Sequence, residues 1–467
     1  MKHSRTHLVA ANVSLLNVLA VALLATGNHD GSTLRMMQSQ QVVGLPSSLL
    51  AMVPGKIIQT PEDRIAYRLQ KRLYKTGKVT PPLGVLSKAV TERKEYFKRS
   101  VDVHVLSPDG KVQQELTISA HRNPLILTPE FSYTRASYHI NTDAVRTQLE
   151  NEEFDGATPP EDIVLTAMEK KDDILRAETS GVAKAGMRLQ AASGAELISK
   201  ALETQQKEVS VHLIPTPGVV INETGEDVGE MKLLAIGRSN FAGSTYARMQ
   251  NVRKALRSHV NNTVVLPGET FSFNSTLGGP VTESRGWYMA KVIFEGDQLR
   301  YAPGGGICQA STTVYRAIVN AGFPVVERRA HSLYVSYYKE YGVGIDATIY
   351  PGSQDLVFLN DTEHPLLIQA YDDGYDAVVS IFGTPDGRSV ELNGPYFTTN
   401  APDELLIHNR KIAPNEIAWL QRVSYADGAV KENTILSRYM TLPEYVKREF
   451  TAPIAVIQEK TAVSLGS

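Results

Sequence analysis

Cys308, His331 and Asp346 follow one another along the chain, and Cys308 is the one cysteine among 467 residues. These are the side-chain types of a thiol nucleophile, a base that ionises it and an acceptor that orients the base. The cysteine comes directly after the glycine run Gly304, Gly305 and Gly306 and Ile307. A helical pattern starts at once, with Ala310, Val314, Ala317, Ile318 and Ala321 on one face and Gly322 and Pro324 ending it. Cys308 is therefore expected at the first turn of a helix of about three turns. The free N–H groups and the positive dipole end there favour a thiolate. The glycines permit a tight bend and a close approach of substrate. Backbone N–H groups from Gly306 to Gln309, and the Gln309 side chain, are candidate oxyanion donors. Each residue also has a plainer reading. A lone cysteine can be a small buried hydrophobe, Asp346 can cap a turn, and Gln309 can cap the helix. Arg328 and Arg329, if close to His331, would lower its pKa, or they could form a surface patch for acidic polymers. There is no His-x-x-x-His pair and no carboxylate cluster near the thiol, so no metal and no other cofactor is expected.

Something must hold these three residues together. Beyond the cysteine helix, strands are expected over 323–328, 331–338, 344–350, 356–359, 366–371 and 378–382. In an antiparallel sheet packed on that helix, adjacent strands would bring His331 and Asp346 alongside each other. The layout resembles the catalytic core of transglutaminase-like and papain-like cysteine enzymes. Upstream, a helix is expected over 246–260 and a strand over 288–295.

Length and composition set the wider frame. The chain is long enough for two to four domains. Charged residues are 21% and the formal net charge is −2, so nothing argues for a nucleic-acid partner. A single cysteine excludes an internal disulfide and a cysteine-based zinc cluster. Lys2, His3 and Arg5 precede an apolar run from Leu8 to Ala25, which reads as a signal peptide or uncleaved membrane anchor over 1–27. A linker and helical region follows over 28–100, with a helix starting at Thr60 and Pro61. Residues 101–235 read as an α+β region, with a hairpin at 101–118, a helix capped at Asn141 or Thr142, and a capping box at Ser193 to Glu196. Residues 246–385 hold the candidate site, and 386–467 form a β-rich extension and tail with a short helix near 442–450. The fold class expected is multidomain α+β.

A series of motifs in one order resembles the VanW family: Arg248-Met249-Gln250-Asn251, Leu266-Pro267-Gly268-Glu269-Thr270-Phe271-Ser272-Phe273-Asn274, the run from Gly304 to Gln309, Ser311-Thr312-Thr313-Val314-Tyr315, Glu327-Arg328 with His331-Ser332, Val335-Ser336-Tyr337, Asp346-Ala347-Thr348, and Asp355-Leu356 with Phe358 and Asn360. Ala310 and Val314 stand where that family usually has valine and leucine, and Gly342-Val343-Gly344-Ile345 replaces a shorter approach to the aspartate. The region ahead of the motifs resembles the peptidoglycan-binding domain that often precedes them. The resemblance implies an extracytoplasmic bacterial cell-envelope protein, with peptidoglycan or its stem peptides as partner and the cytoplasmic membrane as a second contact if the N-terminal segment is uncleaved. It does not supply an activity. A Cys-His-Asp acyl-transfer or amide-hydrolysing enzyme and a non-catalytic wall-binding or scaffold protein both stay open.

Overall fold

A computed structural model describes residues 58–108, 110–294 and 298–458, and the side chains of 455–458 are outside the description. The N-terminal apolar segment and the extreme C-terminal tail lie outside the described residues. Among the described residues no helix is long and apolar enough to cross a membrane. The described residues divide into two compact units, one within 58–159 and 186–216, the other within 160–185 and 217–458. The stretch 101–235, read from sequence as one region, is thus shared between them.

In the first unit, helix Pro61–Lys75 starts as its sequence dictates: Thr60 and Asp63 form a reciprocal capping box and Pro61 occupies the first turn. It packs with helix Leu83–Phe97 through Ala66, Leu69, Leu86 and Val90. The expected hairpin pairs Ser100–Leu106 with Val112–Ser119. The first of these also runs parallel to Glu208–Thr216, giving a four-stranded sheet with Gly186–Leu189 at its edge. Asn141 caps helix Thr142–Glu150, as read. The capping box at Ser193 does not form. Helix Ala191–Thr204 begins earlier, at Gln190, and the Ser193 hydroxyl donates back to the Gln190 carbonyl from inside the first turn.

The second unit contains strands β1 (Ile163–Lys171), β2 (Ile174–Thr179), β3 (Val220–Asn222), β4 (Lys232–Asn240), β5 (Thr263–Val265), β6 (Thr270–Ser272), β7 (Met289–Phe294), β8 (Gln298–Pro303), β9 (Val325–Glu327), β10 (Val357–Leu359), β11 (Leu366–Asp373), β12 (Asp376–Gly383), β13 (Ser389–Tyr396), β14 (Glu416–Ser424), β15 (Val430–Arg438) and β16 (Ile454–Gln458). Its α-helices of more than four residues are α1 (Tyr246–Lys254), α2 (Ile307–Ala321) and α3 (Glu444–Glu449), and a single helical turn, Phe273–Thr276, follows β6. The main sheet has seven strands in the order β4-β12-β11-β5-β2-β1-β3, antiparallel except for the β1–β3 pair. A four-stranded sheet, β15-β14-β13-β16, is built from the C-terminal region.

Helix α2 lies at the centre of this unit. Its periodic apolar face is only part of the surface it buries, because Gln309, Ser311, Thr312, Thr313 and Arg316 are also buried. One side sits directly on β4. A Cβ at Gly237 would stand 2.1 Å from the Thr313 carbonyl oxygen and 2.4 Å from the Ala317 nitrogen, so only glycine lets the helix backbone approach this closely. The Ser239 and Thr313 hydroxyls bond across the same seam at 2.7 Å. The end of the helix meets the C-terminal sheet, where Gln421 donates to the Val319 carbonyl. Val390, Ile417, Trp419 and Val423 join the same apolar cluster as Val314, Ala317 and Ile318. The β-rich C-terminal region is therefore part of the core around α2. Gly237→Ala is expected to lower stability by about 1–3 kcal/mol through overpacking of this seam. The urea unfolding midpoint measures it, and an unchanged midpoint would mean that the seam is slack.

Three expected elements, two strands and a helix, take other forms. The stretch 331–338 is irregular and ends in a short 3-10 turn, Ser336–Tyr338. The stretch 344–350 makes only isolated bridges, one pairing Arg329 with Thr348. The 246–260 helix ends as a π turn over Ala255–Val260. In the first two cases groups from α2 and the C-terminal region take backbone carbonyls that a strand ladder would have used: Arg316 those of Tyr338 and Ile345, the Met440 N–H that of Ser332, and the Ser437 hydroxyl that of Gly344.

Candidate active site

Gly306 is the N-cap of α2, with φ at 109°, and Cys308 sits in the first turn. Each glycine of the run meets protein where a side chain would stand. A Cβ on Gly305 would stand 2.6 Å from the Ala290 carbonyl on β7, and one on Gly306 would stand 2.9 Å from Arg248 Cγ on α1. The glycines thus serve the tight entry into α2 and close packing against β7 and α1, leaving no gap for substrate on those sides. Asn251, fully buried on α1, fixes the run. Its Nδ2 donates to the Gly305 and Tyr288 carbonyls, each at 2.9 Å, and its Oδ1 accepts from the Tyr288 N–H.

The polar side of α2 carries the aspartate segment. The Ala347 carbonyl accepts from Ser311 at 2.7 Å and from Thr312 at 3.2 Å, and the Ala347 N–H donates to Thr312. Arg316 Nε donates to the Ile345 carbonyl on the other side of Asp346. The single antiparallel bridge between Arg329 and Thr348 then sets register: two residues inward on each side, His331 faces Asp346. The His331 backbone N–H donates to Asp346 Oδ2 at 2.8 Å, and Nδ1 lies 2.5 Å from the same oxygen. Tyr439, which follows β15, donates its hydroxyl to Asp346 Oδ1 at 2.7 Å.

His331 is 5% and Asp346 2% exposed, whereas Cys308 is partly exposed. Cys308 Sγ lies 3.6 Å from both Thr348 Oγ1 and the Ile349 carbonyl. Burial alone would raise the thiol pKa. The hydrogen bond and charge of His331 oppose it, helped by Ile349 and Thr348, and the result is a lowered pKa. Burial likewise opposes the charged imidazole, but Asp346 and Cys308 outweigh it and hold His331 up at about 9. Asp346 is brought down to about 2, burial again being overcome by His331 and Arg328. With Nδ1 given to Asp346, Nε2 serves the thiol. Both shifts move the pair towards thiolate and imidazolium, with the Asp346 carboxylate behind the ring.

Arg328 lies against the aspartate, and its charge helps to hold the Asp346 carboxyl down. Its guanidinium turns to the Asp346 and Leu436 carbonyls and the Ser437 hydroxyl. The Gln309 side chain is committed elsewhere. It is fully buried and donates to Ser239 Oγ and the Asn240 carbonyl, away from any oxyanion. The Gln309 and Ile307 N–H groups close on Gly306 and Gly304, while the Cys308 N–H makes no such turn bond among the described residues. Tyr439, Arg316, Asn251 and Thr348 are the supporting residues that the sequence did not single out as part of a site. Asn251 and Thr348 fall inside family-like motifs, which was the available signal. Among the described residues no group of three His, Cys, Asp or Glu side chains is placed to hold a metal ion.

Residues 247–382 match the model of the family described as VanW like protein, so this chain carries a VanW-like domain. The chain is also 35% identical over 165 residues to the protein described as "Uncharacterized protein YoaR" of Bacillus subtilis (strain 168). That match covers 35% of this chain and 52% of the relative, so the chain spans about half the length of the curated relative it matches. No solved structure matches.

Proposed function

We propose that the second unit is a cysteine-dependent acyl-transfer or amide-hydrolysing enzyme of the bacterial cell envelope, acting on peptidoglycan stem peptides. The observation that carries this reading is the contact line from Asp346 through the buried His331 ring to a partly exposed cysteine at a helix start. Cys308 Sγ attacks an amide carbonyl, forming the S–C bond, and the Cys308 N–H steadies the oxyanion. Because His331 already holds the proton, its first act is as an acid. It gives that proton to the amine as the C–N bond breaks, leaving a thioester on Cys308. Neutral His331 then takes a proton from water or from an acceptor amine, which attacks the thioester and restores the thiolate. Water gives hydrolysis and an amine gives transpeptidation. Asp346 keeps the imidazole in the required tautomer, and Tyr439 and Arg328 keep Asp346 in place. The extracytoplasmic location rests on the VanW-like domain and the apolar N-terminal run; the stem-peptide substrate rests on the family resemblance alone.

The test is incubation of the purified protein with peptidoglycan fragments, wild type beside Cys308→Ser, followed by intact-mass and fragment analysis. A thioester-sized adduct on wild type, and cleaved or cross-linked fragments missing from the variant, are expected. Identical fragment patterns, with binding retained by both proteins, would favour a wall-binding module and end the enzyme reading.

A further inference from the structure

Arg248 stands at the edge of this site with its charge unanswered. It lies on the first turn of α1, after the N-cap Thr245. Its stem lies against Gly306, where a Cβ would approach Arg248 Cγ to 2.9 Å. Its guanidinium donates to Ser244 Oγ at 2.7 Å and covers the Tyr337 ring, with Cζ 4.4 Å from the centroid. Gly306 begins the cysteine helix and Tyr337 belongs to the loop that starts at His331, so the guanidinium reaches from the nucleophile's turn to the base's loop. Nearby arginines are spent. Arg253 and Arg257 pair with Asp372, Arg328 with Asp346, and Arg316 with backbone carbonyls. Arg248 has no carboxylate within ion-pair distance among the described residues, although its side chain is partly buried. A partly desolvated guanidinium with unused donors is suited to a planar carboxylate, which it can bind in two-point fashion.

We infer that Arg248 binds a carboxylate of the peptide whose amide Cys308 attacks, which makes the substrate class an anionic peptide with that carboxylate close to the scissile bond. The inference rests on Cys308 being a nucleophile. The carboxylate has two sources, a free C-terminus or an acidic side chain. Arg248 is a specificity residue here and takes no part in bond making.

Two alkylating reagents, iodoacetate and iodoacetamide, share a leaving group and differ in a carboxylate against a neutral amide. Rates of Cys308 modification are measured with both reagents on the full chain, for wild type, Arg248→Gln and Arg248→Lys. The charge of His331 acts equally in all three proteins, so it cancels in the comparison. Arg248→Gln is expected to reduce the iodoacetate-to-iodoacetamide rate ratio by about tenfold, as loss of one charge-assisted hydrogen bond implies. Arg248→Lys, which keeps the charge and loses the fork, should fall between, and it carries the test if the glutamine variant has no thermal unfolding transition. A ratio unaltered by either substitution overturns the assignment. If iodoacetamide still reacts faster with Cys308 than with a free thiol, the nucleophile reading survives that result. If wild-type Cys308 reacts no faster than a free thiol, the nucleophile reading fails, and this inference with it. Protection against iodoacetamide separates the two sources. Acetyl-alanyl-alanine, its amide, and acetyl-glutamyl-alanine amide are compared. Protection by the first alone assigns a C-terminal carboxylate, protection by the third assigns a side-chain carboxylate, and equal protection by the neutral amide contradicts the proposal.

Discussion

His331→Ala is expected to slow the alkylation of Cys308 by iodoacetamide at pH 6 by about a hundredfold, with a ceiling near ~300-fold set by the small ionised fraction of an ordinary thiol at that pH. The cause is specific. Burial pushes the Cys308 thiol up, and the hydrogen bond and charge of His331 reverse that push. Without the imidazole only Ile349 and Thr348 remain, each at 3.6 Å, and neither carries a positive charge. Asp346→Asn should give a smaller loss, because the ring remains but its protonated form loses the carboxylate 2.5 Å from Nδ1. The same pair makes a stability prediction with a definite sign. His331 is raised to about 9, so its contribution is complete below its unfolded pKa of about 6.5 and disappears as pH rises through the folded value. Asp346 is lowered to about 2, so its contribution is complete above about 4 and disappears as pH falls towards that value. The pair thus stabilises most from about pH 4 to 6.5. Urea midpoints at acid, mildly acid and alkaline pH should show an alkaline decline in wild type that His331→Ala lacks. A variant with the same alkaline slope and an undiminished alkylation rate would dismiss the ion pair.

What could be seen in advance follows from where the information sits. The cysteine helix, its glycine entry and its stop are local, so Gly306, the apolar spacing and Gly322 reveal α2. The sequence order of Cys308, His331 and Asp346 also carries over, since one bridge at Arg329 and Thr348 is enough to align the last two. The strands expected around them do not carry over. Tyr- and Val-rich composition at 331–338 looks like a strand, but its backbone is held instead by partners distant in sequence, as where the Ser332 carbonyl accepts from the Met440 N–H. Tyr439 was invisible for a similar reason. It comes from the region read as an extension, 93 residues beyond Asp346, and nothing local marks a tyrosine hydroxyl as a carboxylate donor. Gln309 misled because it stands next to the cysteine. On a helix, neighbours in sequence point about 100° apart, so adjacency to the nucleophile directs the side chain to another face.

Arg316→Met is expected to cost about 3–5 kcal/mol of stability and to uncouple the site in the protein that still folds. Arg316 leaves α2 fully buried and donates to five backbone carbonyls, those of Arg238, Tyr338, Glu340, Gly342 and Ile345, at 2.5–3.0 Å. Among the described residues no carboxylate takes a hydrogen bond from it. Burial pushes its pKa down to about 10, with Asp346 pulling the other way. Its role is to satisfy a loop that has no strand partner: residues 338–345 turn through Gly342 and Gly344, both at positive φ, and expose carbonyls inward. Methionine fills most of the volume and leaves those carbonyls bare. Lysine keeps a charge but offers one tetrahedral ammonium where five acceptors surround a planar fork, so Arg316→Lys should recover only a minor part of the loss. The same loop delivers Tyr338, whose ring centroid is 5.3 Å from that of His331, and leads directly into Asp346. A purely structural arginine would lower the unfolding midpoint and leave Cys308 reactivity intact in the folded fraction. An arginine that positions the triad would lower both. Iodoacetamide rates measured well below each variant's melting temperature separate the two cases. The expected result is a reactivity loss in Arg316→Lys that approaches that of Asp346→Asn. A lysine variant with wild-type stability and wild-type reactivity would show that the loop holds Asp346 without it.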